Sequence, residues 1–147
     1  MRVVLYIFAI SLGLSSMSAC TTVVEERSFL RPDKLSGFKT EHQFNVSTLP
    51  ASAAVNEQTI KTENGIELKG LTVQQPGANV TVLYFGGNMF HIDDHAMKVL
   101  PILSSCGVNS AVFDYRGYGR SQGEPSIENM QSDALRIFDF ILLADHH

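Results

Sequence analysis

Hydrophobic and polar residues along the chain follow four distinct patterns. Residues 3–14 are almost wholly apolar. Residues 59–63 and 66–73 alternate apolar with polar around Asn64-Gly65, as a half-buried antiparallel hairpin does, and Asn-Gly supplies the positive φ angles of a tight turn. Residues 80–85 and 110–115 are near-continuous apolar runs rich in β-branched and aromatic types, the pattern of parallel strands buried on both faces. The fourth pattern is helical. His95, Val99, Leu100 and Leu103 predict a helix from residue 93 or 94 to 105, with Asp93 or Asp94 as its N-cap and Gly107 at its end. Pro101 is expected to bend or break it. Pro125 and Ser126 open a second helix, Ser126 as N-cap and Glu128 in its first turn, with Ile127, Met130, Ala134, Ile137, Phe138 and Ile141 on one face. Pro76-Gly77-Ala78-Asn79 marks a further turn. The order hairpin, strand, helix, strand, helix defines an α/β fold built on a βαβα unit.

The leading apolar run is only about 12 residues long, too short to span a bilayer comfortably, and Arg2 before it and Ser15, Ser16, Ser18 and Ala19 after it are the flanks of a secretory signal. Met17-Ser18-Ala19-Cys20 resembles the bacterial lipobox, with Met where Leu is usual. That resemblance implies lipidation of Cys20, a membrane anchor, and a place in the bacterial cell envelope. Thr21 after the cysteine implies the outer membrane, facing the periplasm. The plainer alternative is an ordinary signal peptide with an incidental Cys20. Residues 1–19 are thus expected to be a lipoprotein signal peptide, 20–50 a tether and lead-in without sustained periodicity, and 51–147 a partial α/β domain. Two cysteines in an exported chain are able to pair. Lipidation of Cys20 leaves Cys106 single among Leu100, Ile102, Leu103 and Val108, where a buried structural thiol is expected.

At 147 residues the chain accommodates one domain at most. Its net charge of −4 provides no basic footprint for nucleic acid, and 44% hydrophobic with 18% charged residues marks a globular composition.

The chemistry turns on Asp114-Tyr115-Arg116-Gly117-Tyr118-Gly119-Arg120-Ser121-Gln122-Gly123. Its last five residues read as G-x-S-x-G, the nucleophile turn of serine hydrolases. That turn requires a strand ending at the serine and a helix starting directly behind it. Here the strand ends about six residues before Ser121 and the helix starts about five after it, which places Ser121 in mid-loop. Asp133, Asp139, Asp145, His146 and His147 complete the order Ser-Asp-His on paper. They lie along one helix and the last residues of the chain, with nothing to hold an imidazole against Ser121. His91-Ile92-Asp93-Asp94-His95 has an i, i+4 histidine pair, but helix capping accounts for its acids and no metal site is expected. No cofactor is called for.

With Phe85-Gly86-Gly87-Asn88, the motif at residues 114–123 resembles the N-terminal half of an α/β-hydrolase, of the lysophospholipase-like and serine-aminopeptidase-like branch. The likeness runs from Val82 to Phe140. It implies a third strand ending in a glycine turn and makes the residue after that turn, Asn88, a backbone N–H donor to an oxyanion hole. Removing such a donor costs about 2.7–4 kcal/mol of transition-state stabilisation. Gly86-Gly87 reads equally as a tight turn that needs small residues. In residues 114–123 the resemblance implies a packed structural loop, pinned by Asp114 and Arg116. A fifth strand, the true nucleophile, the acid and the histidine are expected beyond the second helix. The expectation is therefore the N-terminal part of an exported hydrolase of esters, thioesters or amides, inactive alone, with substrate bound only by a complete parent. In that fold's strand order residues 80–85 form an open apolar edge, which predicts aggregation and a partly molten domain. Two further readings are a non-catalytic lipoprotein that binds a partner through that edge, and a small self-contained hydrolase using Ser121.

Overall fold

A computed structural model describes residues 25–37, 39 and 41–144; the expected signal segment, Cys20, Asp145, His146 and His147 lie outside the described residues. The hairpin pairs β1 (Ala54–Lys61) with β2 (Glu67–Gln74), antiparallel, with Ile60 opposite Leu68. β1 starts earlier than its alternation shows, because residues 54–57 are largely exposed and carry little apolar signal. The turn also differs from the expected one. Gly65 N–H donates to the Thr62 carbonyl at 2.9 Å and Gly65 alone takes positive φ, 76°, while Thr62 N–H still reaches the Ile66 carbonyl. This is a three-residue loop with a glycine bulge rather than a two-residue turn.

β3 (Thr81–Tyr84) leads through a helix to β4 (Asn109–Phe113), and the two pair in parallel. β4 also pairs antiparallel with β2, so the sheet order is β1-β2-β4-β3 and β3 forms an edge. Strand alternation divides the core between the two faces. Leu71, Val73 and Val112 pack on one side with Leu49, Phe90, Ile92, Ala96 and Leu100, whereas Ile60, Leu68, Ala111 and Phe113 pack on the other with Ile137 and Ile141. Gly70 sits opposite Phe113, and a Cβ there would lie 2.4 Å from the ring, so the missing side chain is the space the ring fills.

A short helical turn, α1 (Asp33–Ser36), lies in the lead-in. The helix α2 (Ile92–Ser105) covers one face of the sheet and α3 (Ile127–Ala144) the other. α2 starts at Ile92 with His91 as N-cap and no side-chain cap bond. Asp93 and Asp94 do not cap, because their carboxylates are taken by the lead-in: Asp93 accepts from Phe44 N–H, and Asp94 from the N–H groups of Glu41 and His42. The helix continues through Pro101, and its buried line is Ile92, Ala96, Leu100 and Ser104; of the expected set Leu100 lies on it, while His95, Val99 and Leu103 are half-buried. Cys106 is the C-cap and is exposed, contrary to the expected buried thiol, since the chain turns outward there toward Gly107 at φ 69°.

In α3 the Ser126 hydroxyl accepts from Asn129 N–H at 3.1 Å, as a cap should. Its inward line is Asp133, Ile137 and Ile141. Phe138, expected inward, is exposed, and Phe140 instead meets Phe113 edge-on with centroids 6.5 Å apart. No helix among the described residues is long and apolar enough to cross a membrane.

Candidate active site

Because β3 and β4 are parallel, the loops leaving their carboxyl ends lie side by side, where open α/β sheets build ligand sites. Phe85 and Tyr115, just past the two strands, stack with centroids 6.1 Å apart. The first loop folds tightly. Phe90 N–H donates to the Gly87 carbonyl at 3.1 Å, which makes residues 87–90 a β-turn. A Cβ on Gly86 would lie 2.0 Å from Phe90 Cγ, whereas one on Gly87 would meet nothing within 4 Å. Met89 has φ 63°, the one positive value among described non-glycine residues, a conformation that costs about 1–2 kcal/mol. Asn88, at the exposed rim of this turn, makes its hydrogen bonds through its side chain, and among the described residues its backbone N–H donates to none.

The second loop is saturated. Ser121 is 9% exposed; its hydroxyl donates to the Asp114 carbonyl at 2.7 Å and accepts from Lys69 N–H at 2.9 Å. Both capacities of a nucleophile's oxygen are thus used by backbone groups, and no histidine contacts it among the described residues. Asp114 is fully buried and accepts from Ile92 N–H at 2.8 Å and Arg120 N–H at 2.9 Å. Burial outweighs those two bonds and pushes its carboxyl up to about 6. Arg116 forms a buried two-pronged pair with Asp133, at 2.9 and 2.7 Å. Asp133, one paper candidate for a triad acid, is therefore a structural partner.

The histidine-rich stretch disperses in the same way. His91 is buried, with Nε2 2.6 Å from Asp33 Oδ1. His95 turns back on the His91 backbone. Asp93 is held by Arg120, whose guanidinium keeps its carboxyl below the usual range, and Asp94 faces His42. Among the described residues no three His, Cys, Asp or Glu side chains converge as a metal site would require.

The lead-in is the element with least warning in the sequence. Residues 29–33 cross both loops: the Phe29 carbonyl meets Asn88, Arg31 N–H meets the Tyr118 hydroxyl at 3.0 Å, and Asp33 accepts from Gly119 N–H at 2.7 Å. Pro32 is buried there, and with Pro125 it lies against Gly117. These are contacts of backbone and short polar groups, which leave no periodic trace.

The mixed sheet, the helix on either face and the two loops at its carboxyl end have the architecture of part of an α/β-hydrolase fold. Its sequence is 44% identical over 61 residues to lysophosphatidylserine lipase ABHD12 of Gallus gallus, across 41% of this chain and 16% of that protein. It is 29% identical over 97 residues to the uncharacterized protein YfhR of Salmonella typhi, across 63% and 33%. Among solved structures, the Pyrococcus furiosus esterase Pf2001 superposes with a TM-score of 0.50 at 25% identity, over 65% of this chain and 34% of that one. The matched part spans about a third or less of each of these relatives. No family model matches the chain.

Proposed function

We propose that this chain supplies the oxyanion half of a serine-hydrolase centre, with Asn88 N–H as donor, and that the nucleophile, acid and histidine come from polypeptide outside residues 25–144. The reaction is hydrolysis of an acyl ester, thioester or amide through an acyl-enzyme. An ester is the favoured substrate, supported by the lipase and esterase activities in the names of two relatives. The observation that carries the reading is the contrast between Asn88, whose backbone N–H stands at the rim of a glycine turn past β3, and Ser121, whose hydroxyl is consumed. A donor fixed before substrate arrives stabilises the developing oxyanion without reorganisation. By this reading the 147-residue chain does not react with a fluorophosphonate probe, and labelling that disappears in Ser121→Ala overturns it.

The proposal includes a lipid anchor at Cys20 that holds the protein to the envelope, in the outer membrane facing the periplasm. Support comes from Met17-Ser18-Ala19-Cys20 behind the apolar run. Membrane partitioning lost in Cys20→Ser is the expected result; unchanged partitioning rejects it.

A second reading is a non-catalytic lipoprotein that receives a partner strand on β3. It is favoured by the position of β3 at the sheet edge, with Val80 and Phe85 exposed beside it and Leu135, Phe138, Leu142 and Leu143 exposed on α3. Protection of the β3 amides from exchange by an added partner, without any acyl-enzyme, would select this reading.

A further inference from the structure

The side chain of Asn88 has contacts that an oxyanion donor does not require. Its Nδ2 donates to the Phe29 carbonyl and its Oδ1 accepts from the Tyr118 hydroxyl at 3.1 Å. The chemistry of the partners fixes both ends. A carbonyl only accepts, so the amino group must face Phe29. The Tyr118 oxygen accepts from Arg31 N–H at 3.0 Å, which directs its own proton to Asn88. Tyr118 is itself immobilised: it is 2% exposed, and its ring lies beside that of His91 with centroids 6.1 Å apart. Burial pushes its phenol above the ordinary range, so it remains a donor at neutral pH.

Resting on the hydrolase reading, we propose that the Asn88 carboxamide is a positioning group for its own backbone N–H, a bridge that ties the oxyanion turn to lead-in residues 29–31 and to Tyr118 of the glycine loop. The turn needs such a tie. Met89 sits in the left-handed region, from which a free turn would relax, and Gly86 and Gly87 before it offer little resistance. Three chain segments meet at one carboxamide, so the lead-in belongs to the site and is more than a spacer.

Hydrogen–deuterium exchange on the full chain tests the bridge without any need for catalysis, so its outcome is independent of the probe-labelling result. Tyr118→Phe and Asn88→Ala are expected to accelerate exchange in segments 86–90 and 29–33 together, by about tenfold, as befits loss of one hydrogen bond in a local opening. The β1–β2 hairpin should keep its rate. Asn88→Asp discriminates further. As a carboxylate it accepts from Tyr118 but repels the Phe29 carbonyl; once protonated it offers one donor and one acceptor in the same shape. Its excess exchange over wild type at equal pH should therefore shrink as pH falls through about 4, the ordinary range of an aspartate. Unchanged rates at 86–90, acceleration shared by the hairpin, or an Asp variant that matches Ala at every pH would each overturn the proposal.

Discussion

Two loops leave adjacent parallel strands, and they differ in where their hydrogen-bonding capacity goes. In the loop after β4, the Asp114 carboxylate, the Ser121 hydroxyl, the Arg116 guanidinium and the Gly117 and Tyr118 amides all have partners within the molecule. In the loop after β3, the Asn88 side chain is bound while its backbone N–H stands unbonded at the rim among the described residues. The more recognisable motif therefore belongs to the loop with less to offer a substrate. Dense internal constraint demands particular residue types and so produces a conspicuous motif, whereas a backbone donor asks little of the side chain that bears it.

The strongest test of this contrast is at the Arg116–Asp133 pair. Asp133→Ala leaves a buried guanidinium uncompensated and should destabilise the fold by about 3–5 kcal/mol, read from chemical denaturation. The double variant Arg116→Met, Asp133→Leu should recover most of that loss, since the pair would be replaced by packing. Next in size is a comparison of two glycines. Gly119 has φ 52°, and a Cβ there would lie 2.3 Å from Asp114 Oδ2, so Gly119→Ala should cost about 2–4 kcal/mol. Gly87 has open space and no positive φ, and Gly87→Ala should stay within about 0.5 kcal/mol. Equal effects at the two positions would erase the distinction between a saturated loop and an open one.

Ser121→Ala gives a smaller change of the same kind. It strands Lys69 N–H and the Asp114 carbonyl in a site with little access to water, at about 1–3 kcal/mol, with no effect on probe reactivity. A loss of reactivity with stability intact would invert the assignment of the two loops.

The sequence made the strands and helices legible where burial is two-sided or strictly periodic. It also exposed Ser121 as mid-loop, because distances along the chain alone exclude a strand–nucleophile–helix turn. It misled where a polar side chain does unusual work. Asp133 occupies a core position of α3 only because Arg116 meets it, and no pattern of apolar residues marks such a site. Asp93 and Asp94 have the composition of caps, yet they bind loop amides more than 48 residues away in sequence. The strap at residues 29–33 is invisible for the same reason: its contacts are made by backbone groups and by Asp33, without periodicity.

Asp114 sharpens the comparison at the smallest scale. Burial raises its carboxyl from 3.8 to about 6 despite the N–H bonds from Arg120 and Ile92. A carboxyl raised in the folded state holds its proton more tightly there than in the unfolded chain. Its contribution to stability is thus complete below the unfolded value and declines as pH rises from about 4 through about 6. Asp93 runs the opposite way. The Arg120 side chain holds its carboxyl below 3.8, so its contribution is present above the unfolded value and is lost as pH falls through the lowered one. Arg120 joins the two acids, donating its backbone N–H to Asp114 and its guanidinium N–H groups to Asp93. Carboxyl-detected NMR should therefore find Asp114 titrating near 6 and Asp93 below the ordinary range. The Ile92 amide should follow Asp114, while amides 86–89 do not move. An Asp114 midpoint in the ordinary carboxylate range would mean that water reaches the heart of the glycine loop, and the contrast between the two loops would then lose its physical basis.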